Sequence, residues 1–376
     1  MPLKRVEKSQ SETSGSEKPD GGFLDDLMPF IKKGTVIPII SNSIRIDHIF
    51  NDEESLTNLF SDSPQFTQDA ETITEELTKV WAEYIHYPMA DANNLPRVAQ
   101  FYQVELKDLE KAKLKYLEFL SDYLLDMEKD GDYKDDVAQL RRQNASFSKI
   151  AKTLDHPRFP SGDDQDPLRI LAKLPLKIYI TTSHFNFMEQ ALEAVGRHPR
   201  TEVCYWTKEK ISSIATHTAE QNYAPPDDKS EEEEPPVVYH LFGIEEEPKT
   251  LVLSEDDYMN FLISVVQDTN TNKPVVPLWL REGLAESRLL LLGYRVRDWD
   301  FRVLFRFILN YRNDSAPRGM FIQLEPGGRQ AENKEKSVEY MGNYFDKKQF
   351  DVDWTNPEKF ILKLWNEWDK YRKGQS

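Results

Sequence analysis

The chain has one cysteine, Cys204, in 376 residues. A lone thiol excludes an internal disulfide framework and any multi-cysteine zinc site. No apolar run is long enough for a membrane span or a signal peptide, so a cytoplasmic protein with no membrane partner is expected. Positive charge is also short: 48 Lys and Arg stand against 65 Asp and Glu, a net charge of −17. Nucleic-acid affinity rests mainly on neutralised phosphates, so direct nucleic-acid binding is not expected outside a local basic groove. No internal repeat is visible, and neither His86 nor His156 has a second histidine at metal-ligand spacing, so both read as packed or surface residues and no metal is expected.

What is present suffices for a large core. A hydrophobic content of 39% over this length makes a single α/β domain with insertions the economical reading. Residues 1–22 are rich in Ser, Glu, Lys and Gly without apolar periodicity and read as a disordered tail. The acidic stretch from Pro225 to Pro236 has structured-looking flanks, which makes it an exposed loop rather than a domain boundary.

The organising stretch is Ile178-Tyr179-Ile180-Thr181-Thr182-Ser183-His184-Phe185-Asn186, a β-prone run that stops at small hydroxyls, a histidine and an amide. Phe187 to Ala194 then continues with helical spacing, so the segment reads as strand, polar turn, helix. In a parallel sheet that turn lies at the carboxyl end of the strand, where open α/β folds place their ligand crevice. Thr181, Thr182 and Ser183 either face that crevice or only cap the helix. Gly34 to Ile40 is a second such run, ending in Ser41-Asn42-Ser43-Ile44-Arg45. Its proline suggests an early or irregular strand position. The small-residue turn can bring backbone N–H groups to a phosphate, although it lacks the glycine that would strengthen that reading.

Between these runs, over about residues 53–165, the pattern is helical: Leu77, Val80, Trp81, Tyr84 and Ile85 share one face, and Leu106, Leu109, Leu117, Leu120 and Leu124 another. A Pro-bounded hinge from Tyr87 to Pro96 interrupts it. Further short strands are read at 200–206, 237–243, 250–254 and 288–293, with a last one at 320–324. Ser254 caps a helix with acids in its first turn, and another helix runs from Phe301 to Leu309. Residues 331–376 form a C-terminal helical segment in which Phe360, Leu364, Trp365 and Trp368 share a face, for docking on the body or on a partner.

In order and spacing, Ser41-Asn42-Ser43, the helical insert, Thr181-Thr182-Ser183-His184, Tyr239-His240-Leu241-Phe242-Gly243, Leu253-Ser254-Glu255-Asp256-Asp257-Tyr258 and Leu292-Gly293-Tyr294-Arg295-Val296-Arg297-Asp298 resemble the sirtuin-like domains of prokaryotic antiphage-defence proteins. The resemblance spans roughly Thr35 to Leu324. It implies an α/β fold, a Rossmann-like parallel sheet with helices on both faces and a large helical insertion, over residues 23–330. It also implies a bacterial effector that consumes NAD as substrate, not as cofactor, releasing nicotinamide and ADP-ribose. Relatives oligomerise, and some act with a HerA-type hexameric ATPase or a short Argonaute. Three departures stand out. Most relatives have Gly-Ala-Gly at Ser41-Asn42-Ser43, an asparagine at Ser183 and a histidine at Phe242. Either the neighbours Asn186 and His240 have taken over, or the site is degenerate. The four-cysteine zinc module of the deacetylase branch is missing, which argues against protein deacetylation.

Cleavage of the nicotinamide–ribose bond passes through a cationic, oxocarbenium-like state, in which an amide or hydroxyl positions water and a histidine takes its proton. Asn186, Ser183, His184 and His240 supply those group types and are the expected catalytic residues. His240, inside an apolar strand, is either a core or a crevice residue. Ser41, Asn42, Arg45 and Thr182 are expected at the dinucleotide, and Gly293 with Tyr294 at the next crevice. Asp298 either binds ribose or caps the helix beginning at Trp299. The leading expectation is an NAD-hydrolysing defence effector activated by assembly with a partner; the alternative is a degenerate nucleotide-binding or scaffold subunit. A nuclease has no acidic constellation to accompany Asp298-Trp299-Asp300. For assembly, the insert around Leu109 to Leu124 or the Trp365/Trp368 helix buries against another subunit, or against the chain's own sheet.

Overall fold

The structure, a computed structural model, describes residues 22–50, 71–129, 131–159, 162–207, 234–267, 274–322 and 331–374. The tail 1–21, the start of the insertion and most of the acidic loop lie outside the described residues. Among the described residues seven strands form one sheet: β1 (Val36–Ile40), β2 (Ile178–Thr181), β3 (Arg200–Val203), β4 (Val237–His240), β5 (Arg288–Leu292), β6 (Gly319–Ile322) and β7 (Phe350–Asp353). Their order is β3-β4-β2-β1-β5-β6-β7, and every pairing is parallel.

Period-two alternation divides the strand side chains between two cores, as a sheet buried on both faces requires. Val36, Ile40, Tyr179, Leu290 and Leu292 enter one core, with the N-terminal helix, the insertion and the helices Pro167–Lys173, Phe187–Ala194 and Pro357–Gly374. Ile37, Ile39, Ile180, Leu289 and Leu291 enter the other, against helices Glu255–Gln267, Leu278–Glu286, Trp299–Tyr311 and Ala331–Asp346. The fold is therefore α/β with a Rossmann-like sheet.

Three local readings need correction. β1 is the middle strand despite Pro38. Ser41 N–H bonds to Leu292 on the β5 side, whereas Thr182 N–H bonds to Ile40 on the β2 side, so by alternation the Pro38 nitrogen faces β2, whose pairing with β1 begins only at Ile39. No β5-side bond is lost. Residues 250–254 are not a strand: Leu253 and Ser254 N–H donate to the Asp257 carboxylate at 3.1 and 3.0 Å, committing the segment to a helix cap instead of a ladder. The last strand is β7, after 320–324, so the C-terminal segment is not wholly helical. The C-terminal helix buries Phe360, Ile361, Leu364 and Trp368 on its own chain, with Glu358 Oε1 3.1 Å from His48 Nε2.

The insertion supplies helices Ile73–Tyr84, Leu95–Leu106, Leu109–Met127, Lys134–Gln143 and Phe147–Thr153. Trp81 is fully buried among Tyr102, Tyr116 and Phe119. At the hinge, His86 closes the first of these helices with φ 58°, and the Asn94 side chain caps the next. Lys113, 1% exposed, pairs with buried Asp257 at 3.1 Å and pins the insertion to the helix that opens at Glu255.

Candidate active site

The polar turns after β1, β2 and β5 meet at the carboxyl ends of the central strands, where the chain order reverses around β1. A cavity of about 310 Å³ opens there. Its floor is Ser41, Asn42, Ser43, Thr182, His184 and Gly293; Phe242 and Leu253 form an apolar wall. The insertion roofs it with Thr74, Glu75, Asn93, Asn94 and Tyr116, and the segment after β5 adds Arg295, Arg297, Asp298, Trp299 and Asp300.

Backbone geometry explains the glycine after β5. Gly293 has φ +80°, and a Cβ there would stand 2.5 Å from Ile44 Cγ1. Its carbonyl accepts the Ser43 hydroxyl at 2.6 Å, which joins the β1 and β5 turns. The β1 and β2 turns are joined by the Ser183 hydroxyl donating to Asn42 Oδ1 at 2.8 Å. Thr182 Oγ1 and the buried Tyr294 hydroxyl lie 3.1 Å apart and join β2 to β5. Tyr294 thus supports the floor rather than lining it.

The expected catalytic residues separate. His184 borders the cavity, 8% exposed, and burial pushes its imidazole down to about 4, so the ring is neutral at pH 7. Ser183 lies just beneath, bonded to Asn42. His240 is fully buried away from the cavity: Nε2 is 2.9 Å from Glu189 Oε1 and Nδ1 3.1 Å from the Ser183 carbonyl. Burial alone would lower its pKa, but the Glu189 carboxylate and the Ser183 carbonyl outweigh it and raise it. Asn186 stands at the start of helix Phe187–Ala194, away from the cavity lining, its amide engaged by Glu246 at 3.2 Å and Gln190 at 2.6 Å.

Arg45 also falls outside this cavity. Its guanidinium binds both oxygens of Asp166 at 2.9 Å and borders a second cavity of about 490 Å³ with His156, Arg158 and Phe187. That second cavity is larger but lies away from the strand ends. Asp298 occupies the cap position of helix Trp299–Tyr311 without a side-chain cap bond and lines the first cavity. Its carboxyl is pushed up by burial and pulled back by Arg295 and Arg297, whereas that of Asp300 is pushed up by burial and by Asp298. The sequence reading missed Asp300, Arg295 and Glu75. Glu75 is signalled only by its capping box with Thr72, yet it also binds Arg297 at 2.8 Å and holds the roof to the rim. Among the described residues no group of three or more His, Cys, Asp or Glu is placed to hold a metal ion. No described helix is long and apolar enough to cross a membrane.

Residues 177–346 match the family model of the SIR2-like domain, which takes in β2 to β6 but not the β1 turn. The NAD(+) hydrolase ThsA of Cytobacillus dafuensis is 25% identical over 136 residues, 36% of this chain and 22% of that protein. The match thus spans about a fifth of that relative's length.

Proposed function

We propose that the chain hydrolyses NAD to nicotinamide and ADP-ribose at the cavity on the carboxyl ends of β1, β2 and β5. The observation that carries the proposal is the convergence of three polar turns and a close-approach glycine on one cavity, within a chain that matches the SIR2-like domain and in part an NAD(+) hydrolase. Ser41, Asn42 and Ser43 offer a small-residue turn for the pyrophosphate, and Gly293, where a Cβ would collide with Ile44, lets the β1 and β5 turns close together on the cavity. The Phe242 wall offers an apolar face to a ring, and Asp298 and Asp300 add carboxyl groups to the rim. Arg45 has no part at the pyrophosphate, since it is committed to Asp166.

The proposal includes a role in antiphage defence, with restraint by assembly with further copies or with a partner such as a HerA-type ATPase, because uncontrolled loss of a central metabolite harms the cell. The test is to incubate the full chain with NAD, with and without such partners, and to follow nicotinamide by chromatography. Equimolar nicotinamide and ADP-ribose are expected; intact NAD under every condition would reject the activity. One observation favours a second reading, a degenerate nucleotide-binding subunit: Phe242 stands on the cavity wall where the family resemblance expects a histidine. Binding of ADP-ribose without turnover of NAD would select it.

A further inference from the structure

We infer that Asn42 and His184 supply the amide and the imidazole of this reaction, each standing one strand over from where the family pattern expects it, with Ser183 and His240 as positioning residues. The inference rests on the NAD-hydrolase reading and assigns its chemistry.

Hydrolysis breaks the bond between nicotinamide nitrogen and ribose C1′, the electron pair leaving on nicotinamide, which becomes neutral. Water oxygen then bonds to C1′ and surrenders one proton, so that nicotinamide, ADP-ribose and a proton balance NAD and water. The chain must position the water and receive that proton. Among the described histidines, His184 lines the cavity, whereas His48, His156 and His240 face Glu358, Glu128 and Glu189, and His86 and His198 are not in its lining. A neutral, weakly basic ring is adequate, because the proton leaves a water already bonded to a cationic carbon and therefore strongly acidic.

Asn42 supplies the amide. Its Oδ1 accepts the Ser183 hydroxyl, which leaves the NH2 group as a donor at the cavity floor. β2 lies between β1 and β4, so the amide has moved from the β2 turn to the β1 turn and the imidazole from the β4 end to the β2 turn. Both remain on one cavity. Phe242, at the position the imidazole vacates, packs edge-on against Tyr258 and Phe261, with ring centres 5.4 and 5.3 Å away. Beneath the floor, His240 contacts two acceptors, the Glu189 carboxylate and the Ser183 carbonyl, so it donates from both ring nitrogens as an imidazolium. Thr201 also donates to Glu189 Oε1, at 2.9 Å, and fixes that carboxylate. The chain from Glu189 through His240 to Ser183 thus holds the turn that carries His184 and orients Asn42.

The experiment measures NAD hydrolysis and ADP-ribose binding for the full chain and for Asn42→Ala, His184→Ala, His184→Gln, Ser183→Ala and Ser183→Thr, with melting temperatures checking each fold. The Asn42 and His184 variants are expected to lose about 100-fold or more in kcat with KM changed only a few-fold. Ser183→Ala is expected to lose kcat, and Ser183→Thr to recover it, because the hydroxyl is what orients Asn42. In the wild type, ADP-ribose is expected to shift the ring resonances of His184. A folded Asn42 or His184 variant with wild-type kcat overturns the assignment and leaves NAD hydrolysis standing. A wild-type chain that binds ADP-ribose without releasing nicotinamide, both alone and with the partners tested for the function, overturns the catalytic roles, and one that does neither under any of these conditions overturns the inference and the function together.

Discussion

Single residues divide into those whose neighbours are local in sequence and those whose roles depend on distant partners. Thr182 and His184 were legible because the end of a β-prone run is visible in the chain, and the strand end lies at the crevice in any parallel sheet. His240 shares the same strand-end signal, but alternation placed it on the buried side, and its partner Glu189 comes from a helix whose docking no spacing rule reveals. The structure makes His240 a buried cation with a testable pH signature. Its folded pKa is raised above the ordinary value of about 6.5, so its stabilisation is full below that value and is lost as pH rises through the folded pKa. His240→Gln should lower stability by about 3–5 kcal/mol at low to neutral pH, because Glu189 is left buried without its cation. The difference in unfolding free energy between wild type and variant, measured against pH, should narrow on the alkaline side. A difference independent of pH would mean that His240 is neutral in the fold.

Elements were legible where periodicity and turn chemistry agreed. β1, β2, β4 and β5 fall within the apolar runs read for them, since fully buried strands are short continuous apolar segments. The 250–254 segment has that composition too, but its N–H groups are taken by Asp257, and Gly243 approaches so closely that a Cβ would lie 2.3 Å from the Thr250 backbone. β7 escaped notice because Phe350-Asp351-Val352-Asp353 is an edge strand, half polar and read within a helical segment. What the sequence could not supply was the link between the insertion and the sheet. Lys113 and Asp257 are 144 residues apart and both nearly fully buried. Lys113→Ala should therefore destabilise the protein by about 3–5 kcal/mol, the cost of leaving a buried carboxylate unpaired. Denaturant unfolding followed by Trp fluorescence measures it. A loss below about 1 kcal/mol would mean the pair behaves like a solvated one.

For the whole molecule, the amphipathic C-terminal helix closes one face of the sheet, and the buried part of its apolar face packs on its own chain. The insertion buries Leu117, Leu120 and Leu124 yet leaves Leu109 and Leu114 38% and 41% exposed, and its residues roof the cavity. Of the cavity at the strand ends and the larger one beside Arg45, the dinucleotide belongs in the former under the proposed function. The most direct measurement is a structure of the chain with ADP-ribose bound. The pyrophosphate is expected against the backbone of Ser41 to Ser43, with the nicotinamide-side ribose facing the Asn42 and His184 side chains. Ligand seated instead in the second cavity, against Arg45 and Arg158, would contradict it.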